Sequence, residues 1–386
     1  MSNIDELIAK YCPNGVRFLA LKDVAQIKNG KDYKHLPEGN IPVYGSGGVM
    51  THVGQAVYEG PSVLLPRKGS ISNVFYVDEP FWNVDTIYYT VIDQTIMMPR
   101  FFYHFMLNQH IERLNTSNAA RPALTQAVLN KIIIPVPPLP VQEEIVRILD
   151  SFSALEAELE AELEARRKQY AHYRDELLKF DRERVQWLDL GSIAWVGSSR
   201  RILKQNLKRE GIPFFRGTEV GKLAEKKPIS PEFFIDEQQY AEVKQATGVP
   251  QIGDLLLPSI CPDGRVWLVN TANPFYLKDA RVLWIRPNQE KIDSNFLRYI
   301  LSNQLIHHYG KYASGGSFAE LKIGSLKTVG IPIPDCEEQR QVVAILDRFD
   351  KLTNDLSYGL PAEIEARRRQ YEYYRDRLLS FNELAA

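Results

Sequence analysis

Three residues in the second half of the chain, Asp263, Glu320 and Lys322, could by type support metal-dependent cleavage of a phosphodiester. Carboxylates can hold a divalent cation, and a lysine can stabilise charge on the reacting phosphate. A long stretch separates Asp263 from Glu320, and the first half of the chain carries Ala123 and Thr125 where Glu320 and Lys322 stand. We therefore expect no nuclease centre here.

A second candidate is Asn273-Pro274-Phe275-Tyr276, which resembles the Asn-Pro-Pro-Tyr element with which amino-methyltransferases hold a flipped base. The first half has Glu79-Pro80-Phe81-Trp82 at the corresponding place, without the asparagine. No glycine-rich loop follows a strand to hold a nucleotide-like cofactor. We interpret both tetrapeptides as proline–aromatic turns.

The histidines and cysteines form no catalytic or metal-binding pattern. Of seven histidines only His307 and His308 are adjacent, and neighbours on a helix point to different faces. The three cysteines are far apart, which argues against zinc or disulfides and suits a reducing cytosol. The N-terminal stretch MSNIDELIAKYC has acidic residues and no apolar h-region, so we do not expect it to be a secretory signal, and no apolar run is long enough for a membrane span. We expect a non-catalytic cytoplasmic protein with no cofactor of its own.

The sequence segments around these residues occur twice in the chain. Ile134-Pro135-Val136-Pro137 matches residues 331–334, and Ile148-Leu149-Asp150 matches residues 345–347, at one offset. The offset then grows by four residues, after which Glu164-Ala165-Arg166-Arg167 matches residues 365–368. Fainter echoes upstream pair Leu124 with Leu321. The chain is therefore a tandem duplication of a variable and a well-matched region.

The well-matched regions predict long helices. In the first copy, apolar residues recur at steps of three and four from Leu149 to Leu177, which is typical of an amphipathic helix. About 38 residues at about 1.5 Å each make a rod about 57 Å long, and the second copy is its expected partner. Gly359 and Pro361 predict a break in the second rod, where the four extra residues lie.

The variable regions predict mixed α/β domains. Short apolar runs such as residues 62–65, 87–91, 254–257 and 282–285 are typical of strands, and residues 101–114 and 294–309 of helices. The predicted fold class is α/β (α+β), with two such domains separated by long helices. The expected boundaries are 1–140, 141–180, 181–336 and 337–386. Residues 181–336 carry 21 Lys/Arg against 17 Asp/Glu, although the whole chain has a formal net charge of −1.

Polar and basic residues on the loops of the variable regions suit contact with DNA, since glycine, serine and arginine at loop tips can approach phosphates and base edges. As a set, repeated in two divergent domains, they favour DNA binding over a merely solvated surface. The candidate DNA contacts are Lys28, Lys31, Ser46, Arg67, Lys68, Ser70, Asn118, Arg121, Arg200, Arg201, Lys204, Arg216, Arg265, Ser314 and Ser317.

The matched segments carry a family resemblance. Pro-x-Pro-Pro-Leu-Pro-x-Gln-Glu-Glu-Ile from Pro135, then Glu-Ala-Arg-Arg-Lys-Gln-Tyr from Glu164, resembles the helical region of the specificity subunit of type I restriction-modification enzymes. The resemblance covers the whole chain, as two target-recognition domains, each followed by a helical region. The second copy departs from the usual pattern with Pro334-Asp335-Cys336 and with its four-residue insertion.

The resemblance implies that each variable domain reads one half of a split double-stranded DNA site. It also implies that an antiparallel helix pair with pseudo-twofold symmetry sets the spacing and docks two methyltransferase subunits, with restriction (motor-nuclease) subunits as further partners. Those partners would use S-adenosylmethionine, and ATP with Mg²⁺. The residues expected in the helix pair or at a partner subunit are Gln142, Leu149, Phe152, Arg166, Arg167, Tyr170, Tyr173, Gln339, Leu346, Phe349, Arg367, Arg368, Tyr371 and Tyr374.

Two other classes stay open from the sequence. A free-standing sequence-specific regulator would bind DNA tightly without methyltransferases, although no helix-turn-helix is evident. An enzyme with an unrecognised site would methylate or cleave DNA alone. The arginine clusters at Arg166 and Arg367 are expected to contact the glutamates of the other rod, a partner subunit or DNA.

Overall fold

A computed structural model describes residues 2–115, 122–315, 319–354 and 359–384. The chain forms two compact units. The first comprises Met1–Glu158 together with Ala366–Ala386, and the second comprises Leu159–Glu365. Each unit contains a mixed α/β part and segments of the long helices, so the predicted fold class is confirmed.

The first unit is built from short strands and helices followed by long helical segments. Its elements are α1 (Ser2–Tyr11), β1 (Arg17–Ala20), α2 (Leu21–Val24), β2 (Ala25–Asn29), β3 (Ile41–Gly45), β4 (Gly48–Val53), β5 (Ser62–Pro66), β6 (Phe75–Val77), β7 (Trp82–Asn83), β8 (Ile87–Ile92), α3 (Pro99–Asn108), a 3₁₀ turn (Ile111–Leu114), α4 (Gln126–Leu129), β9 (Ile133–Val136), the start of α5 (Leu139–Leu177) and the end of α12 (Leu360–Leu378).

Three sheets order the strands of this unit as β2-β8-β5-β6, β4-β3-β7 and β1-β9. All five residues of β5 are buried, as expected for a central strand without polar alternation. Helix α3 starts with Pro99 at its first turn, where the missing N–H is not needed. The core joins Leu21 and Phe101 to Leu149 of α5 and to Leu378 at the end of α12.

The second unit repeats this plan with additional helices. Its elements are the end of α5, β10 (Gln186–Asp189), α6 (Leu190–Ile193), β11 (Ala194–Ser198), a 3₁₀ turn (Lys204–Asn206), β12 (Ile212–Phe215), α7 (Gly217–Ala224), β13 (Phe234–Ile235), α8 (Glu237–Thr247), β14 (Leu255–Pro258), β15 (Trp267–Leu268), β16 (Tyr276–Leu277), β17 (Val282–Pro287), α9 (Ser294–Tyr312), β18 (Ala313–Ser314), β19 (Glu320–Leu321), α10 (Ile323–Lys327), β20 (Gly330–Ile333), α11 (Cys336–Asn354) and the start of α12.

Its sheets have the orders β11-β17-β14-β15, β13-β12-β16, β10-β20 and β18-β19. The first of these corresponds to β2-β8-β5-β6 of the first unit. In both units the three-stranded sheet contains one parallel pair, β3 with β7 and β12 with β16. The core places Phe296 and Leu190 against Leu178, which directly follows α5, and against Leu346 of α11.

The long helices agree with the sequence prediction in their main features. Helix α5 has 39 residues, whereas the second copy is divided into α11, which ends at Asn354, and α12, which begins at Leu360. Gly359 has a positive φ of 79°, so the predicted break is confirmed at this residue; residues 355–358 lie outside the described part of the chain. The predicted helix at 101–114 was wrong in its continuity: α3 ends at Asn108, and His110 has a positive φ of 46° before the 3₁₀ turn begins. Among the described residues, no helix combines the length and apolar character needed to cross a membrane.

Candidate functional site

One backbone framework is built twice and positions the loops of both units. Leu65 pairs with Tyr88 and Pro66 with Ile87 in the first unit, as Leu257 pairs with Leu283 and Pro258 with Val282 in the second. The residue after each β-strand proline then makes the same two backbone bonds. Arg67 N–H donates to Thr86 O over 2.9 Å and its carbonyl accepts from Leu124 N–H.

Ser259 makes the same two bonds in the second unit. Its N–H donates to Arg281 O over 3.0 Å, and its carbonyl accepts from Leu321 N–H over 2.8 Å. The equivalence of Leu124 and Leu321 expected from sequence is therefore present in the hydrogen bonding. It follows that Arg67 corresponds to Ser259, Thr86 to Arg281 and Ala123 to Glu320. The backbone is shared, but the side chains it presents differ between the units.

In the first unit three loops meet in what we call the first loop cluster: Ser46, Arg67, Lys68, Asn73, Asp85 and Thr86. The Asn73 amide donates to Ser46 O over 2.9 Å, and Ser46 N–H donates to Thr86 Oγ1 over 3.2 Å. These bonds tie the β3–β4 turn to the loop after β5 and to the turn before β8. Ser46 is 9% exposed, and its backbone N–H and carbonyl both take part in these bonds; its assignment to DNA stays a prediction.

Two cations of this cluster lie at its surface. Arg67 Nη1 donates to Asp85 O over 3.2 Å, and Lys68 Nζ lies 3.5 Å from the Asp85 carboxylate. The Lys68 and Asp85 side chains are 49% and 61% exposed, so solvent screens this ion pair and it contributes little to stability. The cluster can therefore exchange these contacts for those of a ligand at low cost.

The β3–β4 turn is open to solvent. A Cβ built on Gly47 or Gly48 would meet no atom within 4 Å, and Val49 and Met50 at the start of β4 are 51% and 58% exposed. Lys28, Lys31 and Ser70 are also exposed. Asn118 and Arg121 lie outside the described residues. The sequence-based assignment of these residues to DNA stays a prediction.

The second unit carries a different set, the second loop cluster, which consists of Arg281, Ser314, Glu320 and Lys322. Arg281 Nη1 bonds to Glu320 Oε1, and Lys322 Nζ lies 3.7 Å from Glu320 Oε2. Ser314 pairs with Glu320 across β18 and β19. Of this cluster the candidate list from sequence held only Ser314, which is exposed. Ser317 lies outside the described residues.

Two arginines proposed from sequence already have acidic partners. Arg216 Nη2 lies 2.7 Å from Glu219 and its Nη1 lies 3.1 Å from Glu232. Burial alone would raise the pKa of Glu219, but its bonds to Arg216 outweigh burial and lower the pKa. Arg265 Nε lies 2.8 Å from Asp263. Both charges are largely neutralised within the unit.

The remaining basic candidates of the second unit, Arg200, Arg201 and Lys204, are exposed. The Arg200 backbone N–H donates to Tyr276 Oη over 2.9 Å, and this bond holds the backbone at the start of the loop that carries these side chains. Their assignment to DNA also stays a prediction.

The aromatic residues of the long helices pair between the two sequence repeats. In the first unit Phe152 stacks on Tyr374 with ring centroids 5.4 Å apart and contacts Tyr371 at 6.4 Å. In the second unit the equivalent Phe349 contacts Tyr173 at 5.7 Å and Tyr170 at 6.1 Å. Each phenylalanine therefore meets the tyrosine pair of the other repeat. Burial raises the pKa of Tyr170 to about 12.

The two glutamines of the matched motif fasten each long helix to its unit. Gln142 is fully buried: its Oε1 accepts from Met98 N–H, and its Nε2 donates to the carbonyls of Ile96 and Pro137, over 2.7–2.8 Å. Gln339 likewise accepts from Asp293 N–H and donates to Pro334 O, each over 2.9 Å.

Leu149 and Leu346 are fully buried in the two cores, and Gln339 is 2% exposed. Four members of the set expected at the helix pair or a partner subunit therefore act inside their own units. Whether they also contact a partner subunit stays a prediction.

The arginines of the helices differ in their partners. Arg368 Nε bonds to Glu156 over 2.5 Å, so one contact between the repeats' helices is of the expected kind. Arg166 bonds to Glu162 and Gln169 of its own helix, and Arg367 bonds to Gln370. Arg167 is exposed.

Sequence reasoning missed a buried histidine between helices of the first unit. His104 Nε2 lies 2.7 Å from Asp150 Oδ1, and its Nδ1 lies 3.3 Å from Tyr371 Oη. Burial lowers the pKa of His104, although Asp150 acts in the opposite direction. In the second unit Tyr299 replaces it and donates to Asp347 over 2.6 Å. The matched Ile-Leu-Asp motif, which contains both aspartates, was the available signal.

The described residues contain no group of three or more His, Cys, Asp or Glu side chains that could hold a metal ion. Cys12 and Cys261 are buried and Cys336 is exposed. The two loop clusters can bind a ligand through hydrogen bonds and charged side chains. Two copies of one framework, each with its own polar loop cluster, define a tandemly duplicated protein whose halves display different polar surfaces.

Comparison with known proteins agrees with this class. The family model described as type I restriction modification DNA specificity domain matches residues 13–165 and 183–366. A putative type I restriction enzyme specificity subunit from Haemophilus influenzae is 35% identical over 361 residues, covering 89% of each chain. The specificity subunit of EcoR124I/EcoR124II from Escherichia coli is 33% identical over 306 residues, covering 72% of this chain and 70% of that one.

Solved structures show the same fold at low sequence identity. The S subunit of a type I restriction-modification system from M. genitalium superposes with a TM-score of 0.58 at 15% identity, covering 95% of this chain and 96% of that one. A chain from a study of complex assembly in the type I system gives 0.59 at 18% identity, with 95% and 98% covered. The chain belongs to the type I restriction-modification DNA specificity family.

Proposed function

We propose that each unit reads one half of a bipartite DNA site and that the long helices set the distance between the halves. The observation that carries this proposal is the shared framework with divergent loop clusters. The backbone bonds at Arg67 and at Ser259 are the same, whereas the side chains displayed beside them differ. Such a chain presents two different reading surfaces in one repeated geometry.

The proposal assigns the chemistry to partner subunits. Two methyltransferase subunits would dock on the repeated helices, since a pseudo-symmetric chain offers two similar faces to two copies of one partner. They would use S-adenosylmethionine, and restriction subunits would use ATP with Mg²⁺. The chain itself would have no active site and would act in the cytoplasm, where those partners and the DNA are. The names of the similar specificity subunits support this assignment.

The test is to co-express the chain with the modification subunit encoded beside it, purify the complex and map methylated bases by single-molecule sequencing. We expect a split motif with a fixed gap that depends on this chain. Methylation or cleavage by the chain alone, or tight sequence-specific binding without any complex, would contradict the proposal.

A domain exchange tests the modular part. Replacing residues 1–135 with those of a relative should change one half-site and leave the other intact. A change in both halves would refute independent reading by the two units.

A further inference from the structure

The second unit places a charged pair where the first unit has small neutral side chains. Arg281 occupies the position of Thr86, because each carbonyl accepts from the residue after the β-strand proline. Glu320 occupies the position of Ala123, because Leu124 and Leu321 make the equivalent next bond. The framework is unchanged at these positions, so folding does not require the charges.

The pair is held at the surface in a defined arrangement. The side chains of Arg281, Glu320 and Lys322 are 58%, 27% and 59% exposed. Glu320 is fixed on one side by the pairing of β19 with Ser314 of β18, and its carboxylate faces both cations. Exposed ion pairs contribute little to stability, so stability does not account for this cluster.

The arrangement leaves part of the arginine free for a ligand. Arg281 uses Nη1 for Glu320, and its Nε and Nη2 donate no hydrogen bond to any described residue. Two neighbouring N–H groups of a guanidinium form a fork that matches O6 and N7 of guanine in the major groove. A carboxylate that holds the other side of the guanidinium fixes the direction of this fork.

We infer that Arg281 reads a guanine in the half-site recognised by the second unit and that Glu320 is its positioning residue. The inference rests on the proposed function and adds the residue and the base. The first unit has no charged side chain at these two positions, so its half-site is read by other groups, among them Arg67 and Lys68.

The test uses the full chain in complex with its modification subunits. Arg281→Ala should leave the first half-site unchanged and relax one G·C position of the second by about 5- to 150-fold in discrimination, the range for one bidentate contact. Arg281→Lys should keep overall DNA affinity but lose this discrimination, since an ammonium has no fork. Glu320→Gln should relax the same position by a smaller factor.

Lys244→Ala is the matched control, because it removes one exposed cation of α8 elsewhere in the same unit. It should leave both half-sites unchanged. A uniform loss of affinity in Arg281→Ala with the motif intact would identify a phosphate contact and overturn the inference. So would an unchanged motif. If the wild-type complex gives no split motif, the proposed function itself fails, and the two failures are distinguishable.

Discussion

Replacing Gln142 by alanine should destabilise the first unit much more than its exposed surface suggests, because the side chain exposes none of its area. The truncation removes one bond from Met98 N–H and two to the carbonyls of Ile96 and Pro137. The Pro137 residue is buried, so its carbonyl loses its partner without replacement by water, at about 1–3 kcal/mol. Met98 and Ile96 are partly exposed, so water can replace the lost bonds of their backbone groups and the loss of stability there is smaller.

The sum is about 3 kcal/mol, a large share of the roughly 5–15 kcal/mol that stabilises a domain. Gln339→Ala is the matched variant in the second unit and removes two bonds, for about 2 kcal/mol. The assay is native-state hydrogen exchange followed by mass spectrometry. About 3 kcal/mol corresponds to about a hundredfold faster exchange of amides that open with the unit.

Each variant should affect its own unit. Gln142→Ala should raise exchange in α3 and at the start of α5 while α9 keeps its protection, and Gln339→Ala should do the reverse. Equal loss of protection in both units from either variant would refute the division into separate anchoring sites. A change below about tenfold would refute the assigned cost of the unpaired carbonyl.

Two further predictions follow from titratable groups. Burial lowers the pKa of His104 below the value of about 6.5 that an imidazole has in the unfolded chain. Below about pH 6.5 the unfolded chain therefore binds a proton that the folded chain does not bind, and the free energy of unfolding decreases as the pH falls. His104→Tyr, which copies Tyr299, should reduce the fall in melting temperature between pH 7.5 and 5.5, and an undiminished fall would refute this assignment. At pH 8 a thiol reagent should label Cys336 alone, because burial raises the pKa values of Cys12 and Cys261, the latter to about 12; labelling of all three in the folded chain would contradict the burial.

The shared backbone framework was predictable from the sequence because it occurs twice in the chain. Leu124 and Leu321 could be matched from sequence, and the hydrogen bonds at Arg67 and Ser259 show the same backbone at both places. The break near Gly359 followed from residue type alone: its φ is +79°, and a Cβ there would lie 2.6 Å from Leu352 O. Such local constraints can be read without a structure.

The loop residues were less predictable, because their role depends on partners distant in sequence. Arg265 has one acidic partner two residues away, Asp263, and a second one forty residues earlier, Glu225, whose proximity could not be predicted from the sequence. Arg281 was overlooked because Thr86 occupies its place in the first half, and no shared residue type marks the position. The strand register and the backbone hydrogen bonds show that these two residues are equivalent.

The first unit combines residues 1–158 with residues 366–386, which the ribosome synthesises last. Val16 N–H donates to Asn382 O, Leu384 N–H donates to Val16 O, and Leu378 lies in the first core. The second unit is contiguous and complete once Glu365 is made. At about 5–20 residues per second, roughly 10–40 s separate Glu158 from Ala366. The part of the chain made first is thus the last to be finished, and a ribosome that stops early releases a chain with an uncovered apolar core.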